Sequence, residues 1–200
     1  VVTNPSVWVA NPRAGIRSLA DAAAMARSPA GLDVATSGAG SSNHLAMALF
    51  ENATGTQMRQ IPYKGSTPML TDLAGGQFDV ALDLLPHAMP FMQMNRVRPL
   101  VIAAPKRSPL LPDVPTAAEA GIPGYEVSSW HGFVVPSGTP QSVVDKLNSD
   151  LNRMLLEDEV KKAFAAQGVA PDGGTPAHFR SFIDGQMALW KKVVTDRNIT

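Results

Sequence analysis

The sequence predicts an α/β fold built on a mostly parallel sheet. Three observations carry this. Extended-type runs at residues 32–36, 57–61, 78–82 and 99–103 alternate with stretches of helical length and apolar spacing. The joints between them hold glycine, serine or proline, which turn a chain out of a strand and start a helix. The run Pro99, Leu100, Val101, Ile102, Ala103 is apolar on both sides, as a strand covered on both faces must be.

In order, residues 1–2 and 7–10 read as short extended segments around Asn4 and Pro5, and Asn11-Pro12 breaks them. Ser18 caps a helix through Arg27 with Leu19, Ala22, Ala23 and Ala26 on its apolar side. A strand to Thr36 and a buried-type helix through 45–50 follow. After the strand at 57–61, Thr67 and Pro68 read as N-cap and first residue of the next helix, which ends at Gly75 and Gly76. Residues 78–82 form a strand, 83–87 its loop, and 88–94 a short helix whose methionines fill core space. A proline-rich loop covers 106–115, and Thr116 and Glu119 have the spacing of a capping box that satisfies its own helix start. Residues 126–136 alternate around Trp130 and read as a strand.

Thr139 and Pro140 open a long helix to about Leu156, with Val143, Val144, Leu147, Leu151 and Leu155 on its apolar face. A shorter helix spans 160–167. Thr175 and Pro176 open the last, with Phe179, Phe182, Ile183, Met187 and Trp190 expected inside. Gly185 weakens that helix by roughly 1 kcal/mol relative to alanine. The pattern changes near Tyr125: a βα array precedes it, and helices with little sheet of their own follow.

Composition bounds the function. The chain has 200 residues, 44% hydrophobic and 17% charged, enough for one large domain or two small lobes. Its 17 basic residues balance 17 acidic ones, which argues against nucleic acid as a main partner. Cysteine is absent, so disulfide and thiolate chemistry are excluded. No run reaches the length of a membrane span, so no direct insertion is expected, and the chain does not begin like a signal peptide. His44, His87, His131 and His178 sit on separate elements without metal-ligand spacing, so no metal or cofactor is assigned. Ser41, His131 and Asp83 could be drawn as a hydrolase triad, but no nucleophile-elbow sequence is present. Gly38-Ala39-Gly40 lacks both the third glycine of a dinucleotide fingerprint and the lysine of a P-loop.

Two helix starts stand out. Ser37-Gly38-Ala39-Gly40-Ser41-Ser42-Asn43-His44 follows the first strand, and no Asp or Glu occurs from Ser37 until Glu51. Pro62-Tyr63-Lys64-Gly65-Ser66 follows the second, with no acid until Asp72. A helix start offers free N–H groups and a positive dipole end, a natural seat for an anion. Successive parallel βα units place such loops on one edge of the sheet, so both are expected to face one crevice. Each residue also has a plainer reading: His44 packs or caps, Lys64 is a solvated loop charge, Tyr63 is core, Asp83 caps the next helix, Trp130 packs.

Several motifs resemble one family as a set. These are Ser37-Gly38-Ala39-Gly40-Ser41 with His44-Leu45, Pro62-Tyr63-Lys64-Gly65, Leu73-Ala74-Gly75-Gly76-Gln77, Lys106-Arg107-Ser108, Leu111-Pro112-Asp113-Val114-Pro115-Thr116, Glu119-Ala120-Gly121, Trp130-His131-Gly132 and Pro136-Ser137-Gly138-Thr139-Pro140. In that order they resemble the Bug/TctC family, the substrate-binding proteins of tripartite tricarboxylate transporters.

The resemblance implies a periplasmic binding protein of the type II, Venus-flytrap kind, not an enzyme, that captures a small organic carboxylate for membrane transporter subunits. Residues 10–124 would form a complete βα lobe (lobe two), with 1–9 and 125–200 supplying hinge segments and the C-terminal helical part of lobe one. Ser37, Gly38, Ser41 and His44 would bind ligand from the first loop, Tyr63, Lys64, Gly65 and Ser66 from the second, with Asp83 and Trp130 nearby. Family members carry an upstream strand-loop-helix of lobe one, and this chain begins after it. The expectation is an incomplete first lobe, weaker ligand grip, apolar surface on the C-terminal helices, and dimerisation or segment exchange through that face. Two competing readings are a ligand sensor for a signalling receptor and an α/β enzyme acting on an anionic substrate.

Overall fold

A computed structural model describes residues 2–38 and 40–197; Val1 and Ala39, both named above, lie outside them. Five strands lie side by side in the order β3 (Arg59–Pro62), β2 (Asp33–Thr36), β4 (Val80–Leu84), β1 (Val2–Ala10), β5 (Arg98–Ile102). Strand β2 is parallel to β3 and β4, while β1 runs antiparallel to β4 and β5. The expected α/β sheet is therefore present, with one strand threaded against the others.

That strand is continuous, where two short segments were expected. Its C-terminal half pairs Ser6 with Leu84 and Ala10 with Val80, so residues before Ser6 run past the C-terminal end of β4. There Val2 to Pro5 pair with β6 (Ser128–His131), and Val2 and Thr3 also pair with β7 (Ala170–Pro171). Only four residues of the expected strand at 126–136 belong to β6.

Alternation along the strands builds two cores. Trp8, Val34, Val80 and Leu82 meet Leu19 and Ala22 of α1 (Leu19–Arg27) and Ala46, Met47 and Phe50 of α2 (Ser42–Thr54). On the opposite face Val7, Val9, Ala35 and Ala81 meet Met69, Leu70 and Leu73 of α3 (Ser66–Gly75) and Leu85, Ala88 and Met92 of α4 (Leu85–Gln93). A side-chain period of two along a strand gives this sorting, and each large side chain fully buried contributes about 1.5–3 kcal/mol. The result is a helix–sheet–helix sandwich.

Beyond β6 come α5 (Gln141–Leu155), α6 (Asp158–Ala166) and α7 (Pro176–Arg197). Helix α7 returns to the α2 face, where Val193 is buried and Trp190 packs on the first core. Phe179, Phe182, Ile183 and Trp190 are half-buried as an inward face requires, but Met187 is 66% exposed. Helix α5 has the expected apolar stripe yet buries none of its residues; Val143 and Leu147 face solvent. Phe133 and Val134, just past β6, are 77% and 80% exposed. Apolar surface on the C-terminal part is thus a property of the structure.

Two capping boundaries shift. The N-cap of α3 is Gly65, without a side-chain cap, and Thr67 lies inside the first turn, displacing the expected Thr67–Pro68 start. Residues 83–87 are not a loop: Asp83 belongs to β4, and α4 begins at once with Leu85. The Thr116–Glu119 box closes as expected, Thr116 N–H donating to Glu119 Oε2 at 2.8 Å and Glu119 N–H to Thr116 Oγ1 at 3.2 Å, although the segment stays a turn.

Candidate ligand crevice

Strands β2, β3 and β4 end on the same edge, and each feeds a helix there. Helix α2 leaves β2 towards one face of the sheet, whereas α3 and α4 lie on the other. Because β2 and β4 are neighbours, the chain diverges to opposite faces between them, the place where open α/β sheets bind ligands. The two expected loops do meet: a Cβ built on Gly38 would lie 3.7 Å from the carbonyl oxygen of Tyr63. Gly38 holds φ at +116°, a conformation that side-chain-bearing residues rarely take.

On the α2 side, Ser41 is the N-cap, and its Oγ accepts the His44 N–H at 3.2 Å. The first turn contains no acidic residue, so the helix's positive end, about half an elementary charge, has no carboxylate of its own. His44 folds back so that its Nδ1 accepts the Gly40 N–H at 3.0 Å. One loop amide is therefore consumed by the protein itself. In exchange the ring's proton sits on Nε2, which becomes a donor.

On the α3/α4 side an internal acid is present. Asp83 is 2% exposed, and its Oδ1 accepts three donors: the Ser66 hydroxyl at 2.9 Å, the Leu84 N–H at 2.8 Å and His87 Nδ1 at 3.3 Å. Its Oδ2 has no hydrogen-bond partner among the described residues. Since β2 lies between β3 and β4, the Ser66–Asp83 bond draws the start of α3 across the end of β2 to the start of α4. Neither α3 nor α4 has a side-chain cap, and neither has an acid in its first turn.

The comparisons with known proteins now bear on this geometry. The family model described as "Tripartite tricarboxylate transporter family receptor" matches residues 1–199. The chain belongs to this receptor family. It is 35% identical over 193 residues to BugT of Bordetella pertussis, covering 96% of this chain and 59% of that protein. A protein of Pseudomonas sp. strain P51 encoded between tcbD and tcbE is 35% identical over 196 residues, covering 97% of this chain and 58% of the relative. Among solved structures, Rpa4515 of R. palustris with adipate superposes with a TM-score of 0.87 at 35% identity, covering 100% of this chain and 67% of that one. MatC of Rhodopseudomonas palustris with bound malate gives 0.80 at 31% identity over 96% of this chain and 67% of that one. The chain thus spans a little under three-fifths of those two curated relatives and two-thirds of the structures, which agrees with a periplasmic-binding-protein fold whose first lobe is incomplete.

In this receptor-family chain the expected site residues separate into groups. Ser37, Gly38, Ser41 and His44 gather at the end of β2 and the start of α2, and Gly65 and Ser66 at the start of α3. Lys64 is exposed and makes no ion pair among the described residues. Tyr63 points elsewhere: its hydroxyl donates to Asp72 Oδ2 at 2.9 Å and its ring packs 5.6 Å from Phe78. Burial and that carboxylate push its phenol above the ordinary tyrosine value. Trp130 stands on β6 opposite Thr3, its ring edge-on to Phe179 and Phe182 of α7 at 5.9 and 5.4 Å. It lies on the part of the structure beyond the strand ends. His87 escaped the sequence reading as a neighbour of the site; it stands four residues after Asp83, in the first turn of the helix that follows β4.

Among the described residues no group of three or more His, Asp or Glu side chains is placed to hold a metal ion. No helix there is long and apolar enough to cross a membrane.

Proposed function

We propose that this chain is the gripping part of a periplasmic solute-binding protein that captures a small organic carboxylate for a tripartite tricarboxylate-type transporter. The observation that carries the reading is the start of α2: an acid-free helix end, capped by Ser41, at the switch point between β2 and β4. A carboxylate seated there gains the dipole and hydroxyl donation without competing with an internal acid. The family's relatives found with adipate and malate support the ligand class.

In this reading residues 10–124 form one lobe, and 1–9 with 125–200 form the hinge and part of the other. Ser37, Gly38, Ser41, His44, Lys64, Gly65 and Ser66 line the crevice. Tyr63 and Asp83 shape it from behind, and Trp130 approaches from the opposite lobe. Nothing in this role makes or breaks a covalent bond; ligand biases the hinge toward closure by contacting the closed form better. The exposed Phe133, Val134 and α5 stripe support self-association through that face.

A calorimetric and thermal-shift screen of carboxylic acids tests the function. The expected result is saturable binding by at least one acid, lost in Ser41→Glu, which places a fixed negative charge at the seat. No shift with any acid, or unchanged affinity in Ser41→Glu, overturns it.

A further inference from the structure

Resting on the carboxylate-binding reading, we infer that Tyr125 is a positioning residue that couples the anion seat at the start of α2 to the place where the chain leaves the main sheet. Three backbone segments meet there in a closed cycle. Ser6 N–H donates to the Val127 carbonyl at 3.0 Å, Val127 N–H to the Ala103 carbonyl at 2.8 Å, and Ala103 N–H to the Ser6 carbonyl at 2.9 Å. Each residue gives to one neighbour and receives from the other, and all three are buried. One position farther out the partners change: Ser6 still pairs with Leu84 of β4, whereas Pro5 pairs with Ser128 of β6. The cycle is therefore the boundary of the main sheet, and β1 passes through it into the part of the structure that carries β6 and β7.

Tyr125 stands two residues before Val127, and Trp8 two residues after Ser6. The buried Tyr125 hydroxyl accepts the Trp8 indole N–H at 3.2 Å and donates to the Ala46 carbonyl of α2 at 3.1 Å. One phenol thus joins both chains of the cycle to the helix. Ala46 lies five residues after the Ser41 cap, about 7 Å along the helix axis at the usual rise per residue.

An anion held by the first-turn amides is bonded to the backbone of α2 itself. Whatever stills or shifts that turn reaches Ala46 through the helical ladder of hydrogen bonds. Apolar packing of Met47 and Phe50 holds α2 against the sheet without direction, while a buried hydrogen bond fixes both distance and angle. Low dielectric around the phenol strengthens the bond further. The Tyr125 hydroxyl is accordingly a directional link between the seat and the backbone that enters the cycle.

Amide hydrogen exchange with saturating adipate, and with malate as a second probe, tests this. Slowing is read at the first turn of α2 and at Ser6, Ala103 and Val127, each divided by the slowing at the buried amides of β4, so that stabilisation of the whole fold cancels. Wild type is expected to show about tenfold slowing at the three cycle amides, the scale of ordinary coupling between sites. Tyr125→Phe removes the donor and keeps the aromatic ring; it is expected to retain the slowing at α2 and to bring that at the cycle below about twofold. Trp8→Phe removes a buried donor but leaves the Tyr125–Ala46 bond, so it is expected to behave as wild type. No slowing at the cycle in wild type, slowing that survives in Tyr125→Phe, or an equal loss in both variants overturns the inference, while slowing at α2 leaves the carboxylate reading standing. Wild type alone can overturn it, whether or not a variant folds. No slowing anywhere with either acid removes the inference; if the broader carboxylate screen also fails, the functional reading goes with it.

Discussion

The indole N–H of Trp8 donates to the hydroxyl of Tyr125 at 3.2 Å, and that hydroxyl donates in turn to the Ala46 carbonyl at 3.1 Å. Phe50 fills the angle between the two rings, 4.7 Å from Trp8 and 5.8 Å from Tyr125. One fully buried phenol thus ties the central strand β1, helix α2 and the segment entering β6 into one body. The chain crosses at the same place, with Ser6 N–H bonded to the Val127 carbonyl and Ala103 N–H to the Ser6 carbonyl.

Tyr125→Phe keeps the ring and strands the Trp8 N–H, so it should cost about 1–3 kcal/mol in urea denaturation. Its pH dependence has a definite sign. Burial raises the Tyr125 phenol well above the ordinary value. A raised folded-state pKa gives stability that is complete below the unfolded value, about 10, and is lost as pH climbs from there toward the folded value. Wild type should therefore lose its margin over Tyr125→Phe as pH is taken from 9 to 11, measured as the difference between the two urea midpoints. A constant difference would show that the phenol does not titrate on unfolding.

Two serine caps separate folding from binding. Ser18 caps α1 by accepting the Asp21 N–H at 3.1 Å, away from the strand ends, and Ser41 caps α2 at the crevice. Either Ser→Ala change should cost about 1 kcal/mol of stability. Only Ser41→Ala should also weaken carboxylate binding, by about tenfold for a lost donor to a charged group. Equal affinity in the two variants, read by calorimetry, would move the anion seat away from α2.

The success at α2 and the error at Asp83 have the same origin. A strand, a glycine turn with φ of +116° at Gly38 and a serine cap are local features, so residues 32–50 were readable without any partner. Asp83 looked like the first residue of a loop because a charged side chain after an apolar run normally leaves the sheet. It stays in β4, buried, because Ser66 from 17 residues earlier supplies a hydroxyl and Leu84 supplies its N–H. Likewise the apolar period of α5 was legible, but periodicity states that a face is apolar, not what covers it. The continuity of β1 through Asn4 and Pro5 was hidden because its partner there, β6, lies more than a hundred residues away in sequence.

Glycine substitutions at two positions should act in opposite directions. At Gly38 a Cβ has room, its nearest neighbour being 3.7 Å away, so the cost of Gly38→Ala is conformational: about 1–3 kcal/mol for holding alanine at φ +116°, or a displaced loop. Gly185 sits inside α7 with nothing within 4 Å of an added Cβ, and its φ is not positive. Gly185→Ala should stabilise by roughly 0.5–1 kcal/mol. Paired denaturation curves would show midpoints moving to either side of wild type, and only Gly38→Ala should reduce ligand affinity.

The apolar surface beyond β6 carries the last expectation. Phe133 and Val134 are each more than three-quarters exposed, and Val143 and Leu147 lie one turn apart on a helix that buries nothing. A solvent-facing apolar side chain that contributes no packing can be exchanged for a charged one within about 0.5 kcal/mol. Val134→Lys should therefore leave the melting temperature nearly unchanged, and Leu147→Glu, at a side chain 43% exposed, should lower it by no more than about a few degrees. If that face binds a second copy, the same pair of substitutions should shift the sedimentation profile toward monomer and raise the solubility limit. A wild-type chain that sediments as a monomer at every concentration would remove self-association, and a melting temperature that falls steeply in Leu147→Glu would mean that α5 is packed more tightly than its exposure indicates.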